Sequence, residues 1–146
     1  MASFTGGDKL TAHLAGIAER LGDGKVLRVG FLEGETYPDG TNVAQVAYWN
    51  EYGTVTAPPR PFFRQMIAAK SPGWGAALGK NLTATDYNTD LALKRVGSGI
   101  KDQLTRSIVD FASPANAPST AAQKGFNKPL VDTGQMQRAV DFDIKD

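Results

Sequence analysis

Residues 42–64 read NVAQVAYWNEYGTVTAPPRPFFR, and the rest of the chain is arranged around them. The stretch opens as a short, largely apolar helix. Asn42 is an N-cap residue ahead of Val43, Val46 and Ala47, and Gly53 falls where a C′ glycine ends a helix after Tyr52. Tyr48 and Tyr52 are four residues apart and share a face. Only Gln45, Asn50 and Glu51 give this helix a polar side, so it is expected to be mostly buried. Pro58 and Pro59 cannot continue a helix and force an extended arm. Pro61 has the fixed φ of a first helical position, and Phe62 and Phe63 follow at once. The expected product is a stiff helix–arm–helix corner with aromatic anchors on both sides.

Upstream, Leu10, Leu14, Ile17, Ala18 and Leu21 recur at helical spacing and predict a helix over 8–21, ended by Gly22-Asp23-Gly24. Residues 25–32 alternate as a strand, with Leu27, Val29 and Phe31 on the core side. Residues 33–41 are turn-rich around Pro38-Asp39-Gly40 and are expected to project as a loop. Downstream, 72–84 reads as a weak helix in which Trp74, Ala77, Leu78 and Leu82 pack, while Gly73, Gly75 and Gly79 lower its propensity. Leu93, Val96, Ile100, Leu104, Ile108 and Phe111 then mark a long helix over 87–111. Gly97 and Gly99 interrupt it, either weakening it or allowing close packing. Residues 112–131 are expected to be an extended segment. Within it, Pro118 starts a short helix that Gly125 ends, and Pro129 adds an extended step. Asp132 or Thr133 caps a last turn, and 138–145 alternates as a half-buried strand carrying Val140, Phe142 and Ile144 inward. The fold class is α+β in a single domain over 1–146. It is a mainly antiparallel sheet flanked by helices, with one long amphipathic helix and extended proline-rich arms.

The 146 residues suffice for one domain with a real core. A net charge of +1 points to neither nucleic acid nor a membrane surface as partner. Without cysteine there is no disulfide, thiolate metal site or thiol nucleophile. The opening MASFTGGDKL has no basic segment leading into an apolar one, so no signal peptide is expected. No apolar run has the roughly 20 residues of a spanning helix. No active site is legible either. His13, the sole histidine, has no positioned partner, and Asp8 and Glu19 do not share its helix face. Glu33 and Glu35 read as a solvated loop, and there is no phosphate-binding motif. Asp132-Thr133-Gly134 matches the Asp-Thr-Gly of aspartic proteases over three residues only, and its surroundings favour a helix cap. No catalytic residue, metal or cofactor is assigned.

Two pieces carry a resemblance. The run Asn50-Glu51-Tyr52-Gly53-Thr54, followed by Pro58-Pro59-Arg60-Pro61-Phe62-Phe63-Arg64, resembles a segment of small virion proteins of long-tailed bacteriophages. Pro129-Leu130-Val131-Asp132-Thr133-Gly134, preceded by Ala117-Pro118-Ser119-Thr120 and Lys124-Gly125, resembles a second segment of theirs in the same order. The two pieces cover about 45 residues, roughly a third of the chain. The family comprises tail-completion, minor tail and head-to-tail joining proteins. The resemblance implies a structural subunit without catalysis or small-molecule substrate, found in the virion tail or neck after synthesis in the host cytoplasm. It implies copies of the chain in a ring, contacting neck and tail-tube neighbours, with DNA passing through the lumen without specific contact. It places motif or subunit-contact roles on Glu51, Tyr52, Gly53, Pro59, Arg60, Pro61, Phe62, Phe63, Arg64, Pro129, Leu130, Asp132, Thr133 and Gly134. Arg60 either bridges subunits or pairs with Glu51 within one chain. Two other readings stand beside this one. One is a minor tail protein at another tail position. The other is a DNA-binding accessory protein using Arg95, Lys101 and Arg106 on phosphates.

Overall fold

The computed structural model describes residues 5–32, 34–111 and 134–146. In chain order these form α1 (Gly7–Leu21), β1 (Val26–Phe31), α2 (Val43–Tyr52), α3 (Phe62–Lys70), α4 (Trp74–Ala84), α5 (Thr89–Asp110), α6 (Gln135–Arg138) and β2 (Val140–Lys145). A 3-10 turn, Ser71–Gly73, joins α3 to α4. The expected helix opened by Pro118, the Pro129 step and the Asp132 or Thr133 cap lie outside the described residues.

Local chemistry explains most of the boundaries. Asn42 caps α2, its Oδ1 accepting from the N–H groups of Ala44 (2.9 Å) and Gln45 (3.3 Å). Asn88 does the same for α5 through Leu91 N–H at 3.0 Å. Each bond satisfies a donor that the first helical turn leaves without a partner. Gly22, at φ 63° and ψ −158°, ends α1 and turns the chain into β1. Pro61 departs from the expected position: it precedes α3, with ψ 56°, and the helix starts at Phe62. Residues 34–41 close a tight turn, with Thr36 bridged to Asn42 and Tyr37 N–H donating to Thr41 O at 2.8 Å.

The class is α+β, but among the described residues the sheet is one antiparallel pair, β1 with β2. Helices make up most of the described chain. Strand alternation is present only in these two runs, and a two-stranded sheet is marginal by itself in water. α5 supplies the support, lying against both strands. The register sets Arg28 opposite Asp143 and Val29 opposite Phe142. Arg28 Nε donates to Asp143 Oδ1 at 2.8 Å, and this bond holds the Asp143 carboxyl below the usual carboxylate range. Lys101 on α5 reaches Asp141 Oδ1 at 3.2 Å. Asp141 is also held low, first by Phe142 N–H and then by Lys101.

The core joins Val43 and Ala47 of α2, Phe62 and Met66 of α3, Leu104 and Ile108 of α5, Met136 of α6, Ala139 and Val140. Further up α5, Gly97 is a point of close approach to the sheet. A Cβ there would lie 2.6 Å from Phe142 Cδ2 and 2.8 Å from Leu27 Cδ1. At Gly99 a Cβ would meet nothing within 4 Å. The two glycines are therefore expected to respond oppositely. Gly97→Val should destabilise by about 1–3 kcal/mol through overpacking. Gly99→Ala should stabilise by about 0.8–1 kcal/mol through helix propensity. Urea denaturation of both variants checks this; equal signs would contradict it.

Candidate interaction surface

The motif residues around the central arm form one clamp. Glu51, in the last turn of α2, is 5% exposed. Its Oε2 accepts from Phe63 N–H at 2.9 Å, and its Oε1 accepts from Arg64 N–H at 3.1 Å. These are amides of the first turn of α3, so a carboxylate of one helix caps the next. Its negative charge also suits the positive end of that helix. Arg64 closes the clamp, its Nε donating to Glu51 Oε1 at 2.7 Å and its Nη2 to Glu51 O at 3.1 Å. The guanidinium also lies 4.8 Å from the centre of the Tyr52 ring, a cation–π placement.

Of the two readings of Arg60, the geometry excludes the pair with Glu51, which takes Arg64 instead. Arg60 is fixed elsewhere, its N–H donating to Asn50 O at 2.6 Å and its Nη1 to Asn50 Oδ1 at 3.3 Å. Arg60 Nε is buried with no hydrogen-bond partner among the described residues, and burial pushes the Arg60 guanidinium pKa down. Gly53 makes the turn between clamp and arm at φ 79° and ψ 175°. Its N–H donates to Trp49 O at 2.8 Å, and Thr54 N–H donates to Ala57 O at 2.9 Å.

The sequence pattern also mispredicts the burial of α2. Its buried members are Val43, Ala47 and Glu51. Tyr48, Trp49 and Tyr52 are exposed, and Val55 in the following turn is fully exposed. The Tyr48 and Tyr52 rings do share a face, with centres 4.8 Å apart. Apolar residues surround this helix on nearly all sides, so their pattern does not say which face is inward. The result is an exposed aromatic patch braced from beneath by the clamp. Trp49 and Val55 are exposed next to it in sequence without standing out in the sequence pattern. The available signal was that both adjoin motif residues.

The other motif positions divide between inside and outside. Phe62 is buried in the core, Phe63 and Pro61 are half-buried, and Pro59 and Arg64 are exposed. Phe62 meets Phe31 edge-on, with centres 6.3 Å apart. Gly134 precedes α6 at φ 77°, while Pro129, Leu130, Asp132 and Thr133 lie outside the described residues. The clamp and Gly134 belong to different parts of the fold, joined through the core where Met136 meets α2.

Of the three cations considered for DNA, Arg95 and Arg106 are exposed, while Lys101 bonds Asp141. His13 is exposed on α1. Among the described residues, no group of three or more metal-ligating side chains is placed to hold a metal ion. No described helix is long and apolar enough to cross a membrane. Compared with protein-family models, with curated proteins and with solved structures, the chain matches none of them.

Proposed function

We propose that the chain is a structural subunit of a tailed-bacteriophage virion, a ring-forming tail-completion or neck protein joining the tail to the head-proximal connector. The observation carrying this reading is the clamp. The Glu51–Arg64 stretch, whose residues resemble the virion family, spends its buried members on fixing a corner and leaves Tyr52 and Val55 exposed, beside the exposed Tyr48 and Trp49 of the preceding turn of α2. Aromatic side chains on a braced surface suit assembly, because little ordering entropy remains to be lost on contact. In this reading the proline arm is the extended element carrying Arg60. The long amphipathic helix supports the surface from behind, and copies in a ring meet through different faces of one chain. Neck and tail-tube proteins are the further partners, DNA passes through the lumen, and no cofactor takes part.

The double variant Trp49→Ala, Val55→Ser tests the reading. Val55 is fully exposed and Trp49 is 45% exposed, so free-protein stability should fall by no more than about 1–3 kcal/mol, leaving the chain folded. Incorporation into particles, read by mass spectrometry of purified virions, should fall sharply. Absence of the parent chain from intact virions would sink the proposal.

A further inference from the structure

Among the described residues, α1 buries no side chain. Its ties to the rest of the protein lie at its C-terminal end. Thr89 Oγ1 donates to Leu21 O at 2.8 Å, and Arg20 Nη2 lies 3.7 Å from Asp86 Oδ1. Yet the helix carries a continuous apolar stripe, Leu10, Leu14, Ile17 and Leu21, at steps of four, three and four residues. Leu10 and Leu14 are 51% and 55% exposed.

A groove of matching character lies elsewhere on the chain. β1, α3, α4 and α5 enclose about 410 Å³, lined by Leu27, Val29, Phe63, Ile67, Leu78 and Leu93 among others. Of the lining residues only Trp74 carries an N–H or O–H on its side chain, and its Nε1 already donates to Gln103 Oε1 at 2.8 Å. Small-molecule sites carry a few polar groups that fix the ligand's orientation. The lining side chains offer no uncommitted N–H or O–H donor, and a stripe of leucine and isoleucine needs none. α1 does not line the groove of its own chain.

We propose that α1 of one copy lies in the groove of a second copy, its leucines seated against β1, α3, α4 and α5. Area supports a second copy as the occupant. A 15-residue helix is about 22 Å long and 10–12 Å across, so laying one side down removes roughly 350–400 Å² of its surface. Each copy gives one helix and receives one, which hides roughly 700–800 Å² per copy. A stable interface of ordinary size hides about 800 Å² per partner. The exchange also closes: in a mutual pair or a ring, no stripe and no groove is left uncovered. This contact does not rest on the virion reading and is measurable on the purified chain.

The chain has no cysteine, so introduced thiols report without background. Leu14→Cys and Leu78→Cys are placed in separate copies carrying tags of different size, mixed at micromolar concentration and mildly oxidised. The expected result is a disulfide joining the two tags, with Glu19→Cys, on the opposite helix face, giving several-fold less. In parallel, Leu10→Asp with Leu14→Asp should shift sedimentation from oligomer to monomer while helix content stays unchanged, because both positions are exposed. A parent chain that sediments as a monomer overturns the proposal. So does a Leu14–Leu78 disulfide that forms only when both cysteines share one chain, or a Glu19→Cys yield equal to that of Leu14→Cys.

Discussion

Gly53→Val is expected to be among the most damaging single changes, costing roughly 3–4 kcal/mol of folding stability. Two effects combine. At φ 79° and ψ 175° the backbone occupies a region essentially reserved for glycine, worth about 1–3 kcal/mol of strain for any other residue. A Cβ would also stand 2.9 Å from both Ala57 O and Pro59 N, and 3.0 Å from Pro59 Cδ. Two of these three are main-chain atoms of the arm, which cannot swing aside as a flexible side chain does. Relief requires moving the arm, which strains the Arg60 N–H bond to Asn50 O. Against a typical total of about 5–15 kcal/mol, the loss is large without being certain to unfold the chain. Equilibrium urea unfolding should show a lower midpoint with an unchanged slope. A midpoint equal to the parent's would show that the turn relaxes freely.

Glu51→Ala should cost about 2–4 kcal/mol. Losing a helix cap accounts for about 0.5–2 kcal/mol. Leaving amides of a buried corner without an acceptor adds about 1–3 kcal/mol. Arg64 contributes less, because its side chain is 54% exposed and recovers water on losing its partner. Glu51→Gln keeps one carbonyl acceptor and should cost about half as much. Arg64→Ala should be the mildest of the three, since Glu51 keeps both amide bonds. This order, Ala at 51 worst, then Gln at 51, then Ala at 64, is read by thermal melting. If Arg64→Ala proved as damaging as Glu51→Ala, the ion pair and not the helix cap would be the main term.

The sequence was most informative where a feature depends on near neighbours. Asn42 is a cap because of the amides two and three residues on, and Gly53 is required by a turn only four residues wide. β1 and β2 were legible from alternation, down to Val140 as the inward residue. Sheet size was not, since it depends on how many strands exist to pair. The inward face of α2 was illegible because apolar residues surround the helix. Glu51 was read as part of its solvent side, yet its partners lie 12 and 13 residues ahead. They come within reach only once residues 54–61 have folded back, as the Arg60 N–H bond to Asn50 O records. The same distance explains the exchange of Arg60 for Arg64: both follow an arm whose path no local rule specifies. The apolar stripe of α1 was read correctly as helical, but its spacing could not say what it packs against.

The pairing of β1 with β2 also bears on the order in which the protein takes shape. Arg28 and Asp143 are 115 positions apart, whereas α3, α4 and α5 follow one another directly and pack together. Ribosomes add about 5–20 residues per second, so on the order of ten seconds separates the emergence of the two strands. During that interval the helical unit has all its own segments, while β1 has none of its ladder partners. A lone strand with free amides and carbonyls is a template for pairing with other chains. What shelters it is α5, which can receive Leu27 beside Gly97 before β2 exists. The missing Cβ at Gly97 thus leaves room for the strand to wait against the helix until its partner is made.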